Sequence, residues 1–417
     1  MTAFKRTDVL LPCAEDLSRW SVVACDQFTS EPEYWERVES YVGDAPSALR
    51  LILPEAYLNR DDVAQRKSAI AEAMAEYLCK NVFREIKDSF IYVERVQSDG
   101  RMRQGLVGAV DLDTYEYAPQ STAPVRATEA TVTDRLPPRV AVRREAPLEM
   151  PHIMLLMDDP DNSVFATLDT EKDLLHKEYD FPLMEGGGTI RGYSVGGDMA
   201  ARVELAVSAL ADMPENSSAG PVMNRPVLAV GDGNHSLAAA KLYWEEVKAR
   251  LKPEETENHP ARYALAELVN VHSPALDFEP IHRILHDTDP SGFFSFFESA
   301  AAAASRKGEE KTLLLFADGR QRDIKITGLS AGEVIRLVEE SCARYLSMHG
   351  GEIDYIHDDD TLRRLASVNG TAAVLLPAIE KSGLFDSVAA SGSFPRKSFS
   401  MGHARDKRYY LECRRIK

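Results

Sequence analysis

The stretch Arg225–Arg250, RPVLAVGDGNHSLAAAKLYWEEVKAR, decides how the rest of the chain is read. Val227–Val230 is a short apolar run of the kind that forms a buried strand. Gly231-Asp232-Gly233 breaks the run, and Asn234 is a residue type that caps a helix. From His235 onward, Leu237, Ala238, Lys241, Leu242, Trp244, Glu245 and Val247 follow an amphipathic helical pattern. The reading is strand, tight turn, helix, with Asp232, Gly233, Asn234, His235 and Ser236 at the junction. Glycines there let the backbone turn and let a ligand come close. Free N–H groups at the helix start favour an anion such as phosphate. A carboxylate beside phosphate would repel it, so Asp232 fits one of two roles: ligand to a divalent cation that bridges to phosphate, or base acting on a hydroxyl. The junction is neither the phosphate loop ending in Gly-Lys-Ser/Thr nor the three-glycine dinucleotide fingerprint. A turn with a capped helix and no ligand is the plainer alternative.

A chain of 417 residues exceeds one ordinary core. Three lobes are expected: an N-terminal α/β lobe over 1–150, a central lobe over 151–290 carrying the junction, and a C-terminal α+β lobe over 291–417. Many short strands alternate with helices, so the fold class expected is α+β, with mixed strands and helices in two or three lobes and the site between them. The composition, 44% hydrophobic and 28% charged, is that of a soluble globular protein. No run of eighteen apolar residues predicts a membrane span, and the opening MTAFKRTDVLLPCAEDL has no signal-peptide core, so a cytoplasmic protein is expected. The five cysteines are widely spaced and odd in number, which argues against zinc sites, redox motifs and a disulfide framework. A net charge of −17 argues against a nucleic-acid binder and makes any local basic cluster informative.

Two such clusters stand out. In PVRATEATVTDRLPPRVAVRR, Arg126 could hold an anion while Glu129 orients or accepts a proton; a solvated linker with surface arginines is the bland alternative. Between Ser391 and Arg408 the chain carries Arg396, Lys397, His403, Arg405, Lys407 and Arg408, relieved only by Asp406. This loop, with Arg396 and Lys397 at its head, reads as an anion trap or as a solvated tail, anchored by a final strand at Tyr409–Cys413. His282 and Arg283 are further polar donors expected near the cleft, with His282 and His286 spaced to share a helical face. Other elements follow from periodicity: a strand at Trp20–Ala24, a hairpin from Phe90–Val96 and Gln104–Asp111, a strand at Phe165–Asp169, a loop at Asn216–Asn224, and strands Lys311–Phe316 and Arg322–Ile326 joined through Asp318-Gly319.

Five segments together carry a resemblance: Asp16–Phe28, RATEATVTDRLPPR, VGDGNHSLAAAK, VNVHSPALDFEPIHRIL and FPRKSFSMGHARDKRYY. Across essentially the whole chain they resemble the bacterial and archaeal family known as domain of unknown function 1015, whose name carries no activity. Many members have Asp-Gly-His-His-Arg where this chain has Asp232-Gly233-Asn234-His235-Ser236, and a His-Arg pair matched by His282-Arg283. The Asp-Gly-X-His element is also similar, more locally, to that of the ParB and sulfiredoxin-like superfamily, some members of which are ATP- or ADP-dependent kinases of free serine. That similarity implies a ParB/sulfiredoxin-like centre, with Asp232 in the aspartate role and Glu129 as the separate glutamate serving a substrate hydroxyl. Ser236 stands where an arginine is usual, so a phosphate contact must come from Arg396, Lys397 or Arg126. The function expected is a magnesium- and ATP- or ADP-dependent phosphotransferase acting on a small hydroxylated metabolite. The alternative is a non-catalytic sensor of a nucleotide or phosphorylated metabolite. Catalytic roles fall to Asp232, His235 and Glu129, the metal to Asp232, and ligand binding to Gly233, Asn234, Ser236, Arg126, His282, Arg283, Arg396 and Lys397. Both readings require the central turn and the basic loop to converge on one pocket for a small anionic or phosphorylated ligand.

Overall fold

Alternating apolar residues and an Asp99-Gly100 turn fold Phe83–Val96 back on Met102–Asp111 as a long antiparallel hairpin. The hairpin is the middle of an eleven-stranded mixed sheet. The computed structural model describes residues 3–58, 60–212, 224–317 and 319–417. On one side the sheet continues through Thr189–Val195 to His176–Pro182. On the other it continues through Tyr263–Asn270, Met154–Met157, Leu228–Asp232 and Val125–Ala127 to Tyr115–Glu116. Strands from both sides of residue 150 thus share one sheet, with Met102–Asp111 paired antiparallel to Tyr263–Asn270.

Period-two alternation decides what covers each face. Leu228 and Val230 point with Phe90, Tyr92 and Leu106 into a core closed by the helices Ser163–Thr170, Gly197–Ala209 and Asn234–Lys248, which contribute Phe165, Val203, Leu237 and Trp244. Ala229, between them, points the other way, where Leu156 and Val269 pack on Phe293, Val338, Phe399 and Met401 of the C-terminal part. The rest of that second face is covered by the N-terminal Trp20, Trp35 and Leu49, which pack with Ile91, Val93 and Val107. A second sheet of five antiparallel strands runs Arg320–Thr327, Glu310–Ala317, Ala372–Leu375, His282–His286, Glu352–Ile356. A two-stranded ribbon, Phe278–Pro280 with Phe399–Met401, carries the chain into and out of this second lobe.

The last residues return to the first sheet. Tyr409–Tyr410 pairs with Val22–Val23, Cys413 bridges to Leu10, and Arg414–Arg415 pairs with Leu148–Glu149. Charged side chains, not only apolar ones, fix this return. Arg408 lies buried with Nη1 2.6 Å from Glu267 Oε2 and Nη2 2.8 Å from Glu412 Oε2. Arg103 approaches the other oxygen of Glu267 at 3.5 Å, and Glu412 accepts a hydrogen bond from the Tyr179 hydroxyl. Gly105 makes room for this cluster, because a Cβ there would sit 2.3 Å from Glu267 Oε1.

Three local expectations are corrected. Phe165–Asp169 lies in the helix Ser163–Thr170, because Asp159 accepts from the Val164 N–H at 2.8 Å and Val164, Phe165 and Leu168 share one buried face. Trp20–Ala24 is a strand only at Val22–Val23, since Asp16 accepts from the Ser18 N–H at 3.0 Å and starts the short helix Leu17–Trp20. His282 and His286 lie on a strand, not on a helical face. Residues 216–223 of the expected loop, and Asp318 of the expected turn, lie outside the described residues.

Removing one charge from a buried cluster leaves its partners unpaired, which costs about 3 kcal/mol or more. Glu267→Gln is expected to lower stability by about that amount in urea unfolding, because the guanidinium groups of Arg103 and Arg408 lose their shared carboxylate.

Candidate functional site

The strand Leu228–Asp232 ends where the helix Asn234–Lys248 begins, and Gly233 makes the turn with φ at +79°. A Cβ at Gly233 would lie 3.0 Å from the Ile153 Cα, so both the turn and the space select glycine. Gly233 is the capping residue; Asn234, expected as the cap, is instead the first residue of the helix. The first helical hydrogen bond runs from the Leu237 N–H to the Gly233 carbonyl, which leaves the N–H groups of Asn234, His235 and Ser236 without partners inside the helix. Asp232 Oδ1 accepts from the Gly233 N–H at 2.9 Å.

Its other oxygen faces the C-terminal segment, where Lys407 Nζ lies 3.3 Å from Asp232 Oδ2. Met401 from the ribbon rests on Gly231, where a Cβ would meet its methyl carbon at 2.6 Å. The central turn and the basic loop therefore meet. Glu129 joins them from a third element. Thr128 and Ala130 are held to Phe394 by backbone hydrogen bonds of 2.7 and 2.8 Å, and Glu129 Oε1 accepts from the Ser398 N–H at 2.9 Å. The N–H groups of Phe399 and Lys397 lie close enough to favour its charged form. Burial outweighs these hydrogen bonds and the nearby charge of Lys407, and pushes the Glu129 carboxyl up to about 7.

The imidazoles in the cleft are poised oppositely. His235 Nε2 accepts from the Val132 N–H at 3.2 Å. Burial, then the charges of Arg139 and Arg135, push His235 down to about 4, so it is neutral at physiological pH. His152 lies between Asp26, whose Oδ2 is 3.5 Å from Nε2, and the Tyr410 hydroxyl, 2.7 Å from Nδ1. Burial works against a charge on His152, yet Asp26 and Cys25 raise it well above the ordinary histidine value. Burial likewise opposes ionisation of Asp26, and His152, Gln27 and Lys407 more than offset it, so this carboxyl stays well below its usual range.

The remaining residues singled out in the sequence are placed differently. The Arg126 guanidinium is buried and turned to backbone carbonyls, at 2.7 Å from that of Ala123 and also against that of Asn224. Lys397 lays its ammonium over the Tyr355 ring, 4.4 Å from the centroid, and Arg396 is exposed on the same side. His282 and Arg283 are fully buried and held inside the second lobe. His282 Nε2 pairs with Asp359 at 2.7 Å and Nδ1 accepts from the Leu376 N–H, while Arg283 pairs with Glu339 at 2.9 Å. They are not brought to Asp232, and the reason is their strand, whose side chains are committed to neighbours on both faces. Sequence reading passed over Lys407, Asp26 and His152 as site residues. Lys407 was one cation among several in the tail, and Asp26 and His152 stand in a turn and beside an apolar strand, with no motif linking them.

Among the described residues no group of three or more His, Cys, Asp or Glu side chains is arranged to hold a metal ion. A single carboxylate at Asp232 suits a magnesium ion that keeps most of its ligands from water and phosphate, rather than an all-protein cage. Two hollows lie outside the cleft, on either side of the helix Leu136–Glu145. One of 460 Å³ is shared with Val63–Cys79, and one of 700 Å³ with the middle of Asn234–Lys248. No helix among the described residues is long and apolar enough to cross a membrane.

The fold is that of a mixed α+β protein with a large mixed sheet and a smaller antiparallel one, and Asp232, Glu129 and Lys407 are gathered from separate elements. Residues 8–349 match the family described as Protein of unknown function (DUF1015), and the chain belongs to that family. No curated protein matches it. Among solved structures it is similar to a conserved hypothetical protein from Pyrococcus furiosus, at 10% identity over 74% of this chain and 94% of the other, with a TM-score of 0.35. A free serine kinase in complex with AMP is 10% identical over 74% and 91%, with a TM-score of 0.37. SbnI with a C-terminal truncation from Staphylococcus aureus is 8% identical over 71% and 82%, with a TM-score of 0.36.

The opposite settings of the two imidazoles are measurable. In an NMR-monitored pH titration His235 is expected to stay neutral down to about 4. His152 is expected to remain protonated above the ordinary histidine value, and Asp26→Asn to remove that elevation. A His152 that already titrates at or below the ordinary value in the unaltered protein would contradict the pairing.

Proposed function

We propose that the protein is a kinase-like, nucleotide-dependent phosphotransferase acting on a small hydroxylated metabolite. The observation that carries this reading is the placement of Glu129 and Asp232, from separate elements, beside the one ammonium of Lys407 at a helix start. Phosphoryl transfer asks mainly for positioning and for cations near the transferred group. Lys407 supplies a largely buried positive charge, and the open N–H groups of Asn234, His235 and Ser236 supply partial ones. Glu129, with its carboxyl near neutrality, is suited to take the proton of a substrate hydroxyl. Asp232 either orients that hydroxyl or holds a magnesium ion that arrives with the nucleotide. His235, neutral, offers its ring as a steering contact. A bound ATP or ADP would supply the phosphoryl group.

A non-catalytic sensor of a nucleotide or phosphorylated metabolite is the second reading. It is favoured by one observation, the pairing of Asp232 with Lys407 and with its own turn, which commits both carboxylate oxygens. The two readings part at Asp232.

Thermal-shift measurements with ATP and ADP, with and without magnesium, are expected to show stabilisation that needs the ion. In a kinase, Asp232→Asn abolishes turnover, and Glu129→Gln lowers kcat by roughly a hundredfold or more. At saturating ligand, where binding no longer limits the rate, turnover should rise with pH through about 7, as Glu129 loses its proton and becomes a base. In a sensor, Asp232→Asn keeps or raises affinity and no substrate is consumed. Absence of stabilisation by any nucleotide would overturn the phosphotransferase reading, and absence of stabilisation by phosphorylated metabolites as well would overturn the sensor.

A further inference from the structure

The segment that ties Glu129 down has a geometry of its own. Lys397 adopts the left-handed backbone conformation, with φ at +55°. This turns the successive N–H groups of Lys397, Ser398 and Phe399 toward one point, and the Glu129 carboxylate occupies it. Consecutive N–H groups turned in this way form an anion-binding concavity. The basic side chains of the loop do not line it: Lys397 is over Tyr355, and the cation that reaches the cleft is Lys407. The Ser398 hydroxyl is turned away to the Pro395 carbonyl, and the Ser398 carbonyl holds the Ile281 N–H at 3.2 Å, so the loop is braced at its back. Its anion-binding capacity therefore resides in the main chain, and a side chain of the same protein fills it.

The geometry points to the backbone pocket of Lys397, Ser398 and Phe399 as the seat of the ligand's oxyanion, with the Glu129 carboxylate as an internal occupant that the ligand must displace. The inference rests on the anion-binding half of the reading above and is independent of whether any group is transferred. Two anions cannot share three N–H groups, so the incoming oxyanion binds best when Glu129 is protonated and withdraws as a neutral acid. The charges that face this exchange come from every side of the cleft: Lys407 and, through it, Asp232, Asp26 with His152, and His357 at the rim beside Glu279. His235 is neutral across the relevant range. Because burial places the Glu129 carboxyl near neutrality, the exchange is linked to one proton between pH 7 and mildly alkaline conditions.

The test uses inorganic sulfate, whose charge does not change in this range, in calorimetric titrations of the full chain at constant ionic strength. Affinity is expected to fall by about fifteenfold between about pH 7 and about pH 8.5, the loss that uptake of one proton on binding produces. Glu129→Gln, which replaces the anionic occupant with a neutral one, is expected to bind sulfate more tightly at the higher pH and to lose most of that dependence. Backbone NMR of the unaltered protein gives a readout that does not depend on the variant folding well: the amides of Lys397, Ser398 and Phe399 should shift saturably with sulfate. Sulfate binding that leaves those amides unmoved overturns the proposal, as does the same affinity and pH dependence in Glu129→Gln, or no binding to either protein. Magnesium-dependent stabilisation by ATP or ADP in a protein that fails these sulfate tests would leave the phosphotransferase reading standing and remove only the backbone pocket.

Discussion

The buried pairing of Arg408 with Glu267 is the constraint on which the cleft depends. Glu267 sits in the middle of Tyr263–Asn270, a strand with neighbours on both sides, so its carboxylate has one position. Arg408 must come to it, because an unpaired guanidinium in that setting is costly. Fixing Arg408 fixes Lys407 one residue earlier and Tyr409–Tyr410 just after. The former reaches Asp232, and the latter closes on Val22–Val23 and on His152. A structural ion pair thereby sets the place of the ammonium beside Asp232.

Around that ammonium the protein holds like charges apart by giving them different environments. Asp26 is kept ionised by an imidazolium, whereas Glu129 is kept near neutrality by burial against main-chain donors. His152 is raised against its burial by the carboxylate beside it, and His235 is neutral because burial, then nearby arginines, disfavours its charge. Each group is one of an acid or base pair whose members are pushed in opposite directions, an arrangement that separates proton acceptors from fixed charges within one cleft.

The sequence carried the strand-turn-helix at Leu228–Lys248 clearly, because a four-residue apolar run, two glycines and a 3.6-residue period agree with one another. The α+β class and the Phe83–Asp111 hairpin were legible for the same reason. Phe165–Asp169 misled because a short apolar run has no period long enough to separate strand from helix, and the Asp159 cap that decides it lies six residues upstream. The setting of His282 and Arg283 is not legible, because Asp359 and Glu339, which pair with them in the second lobe, lie far along the chain. The contribution of Lys407 and the main chain of Lys397–Phe399 could not be read at all. Which cation of a basic run turns inward is decided by Glu267, more than a hundred residues away, and a main-chain donor has no side-chain signature.

The weaving of the last residues into the first sheet also bears on how the protein is made. Strands near the N-terminus, at Leu10 and Val22–Val23, wait for partners at Cys413 and Tyr409–Tyr410. During synthesis these edges stay open until residues near 413 have emerged. Long-range pairings of this kind fold slowly and expose the unfinished sheet to wrong partners. The meeting of Lys407 with Asp232 therefore forms late, and a chain that stopped before residue 407 would hold the central turn without the ammonium beside it.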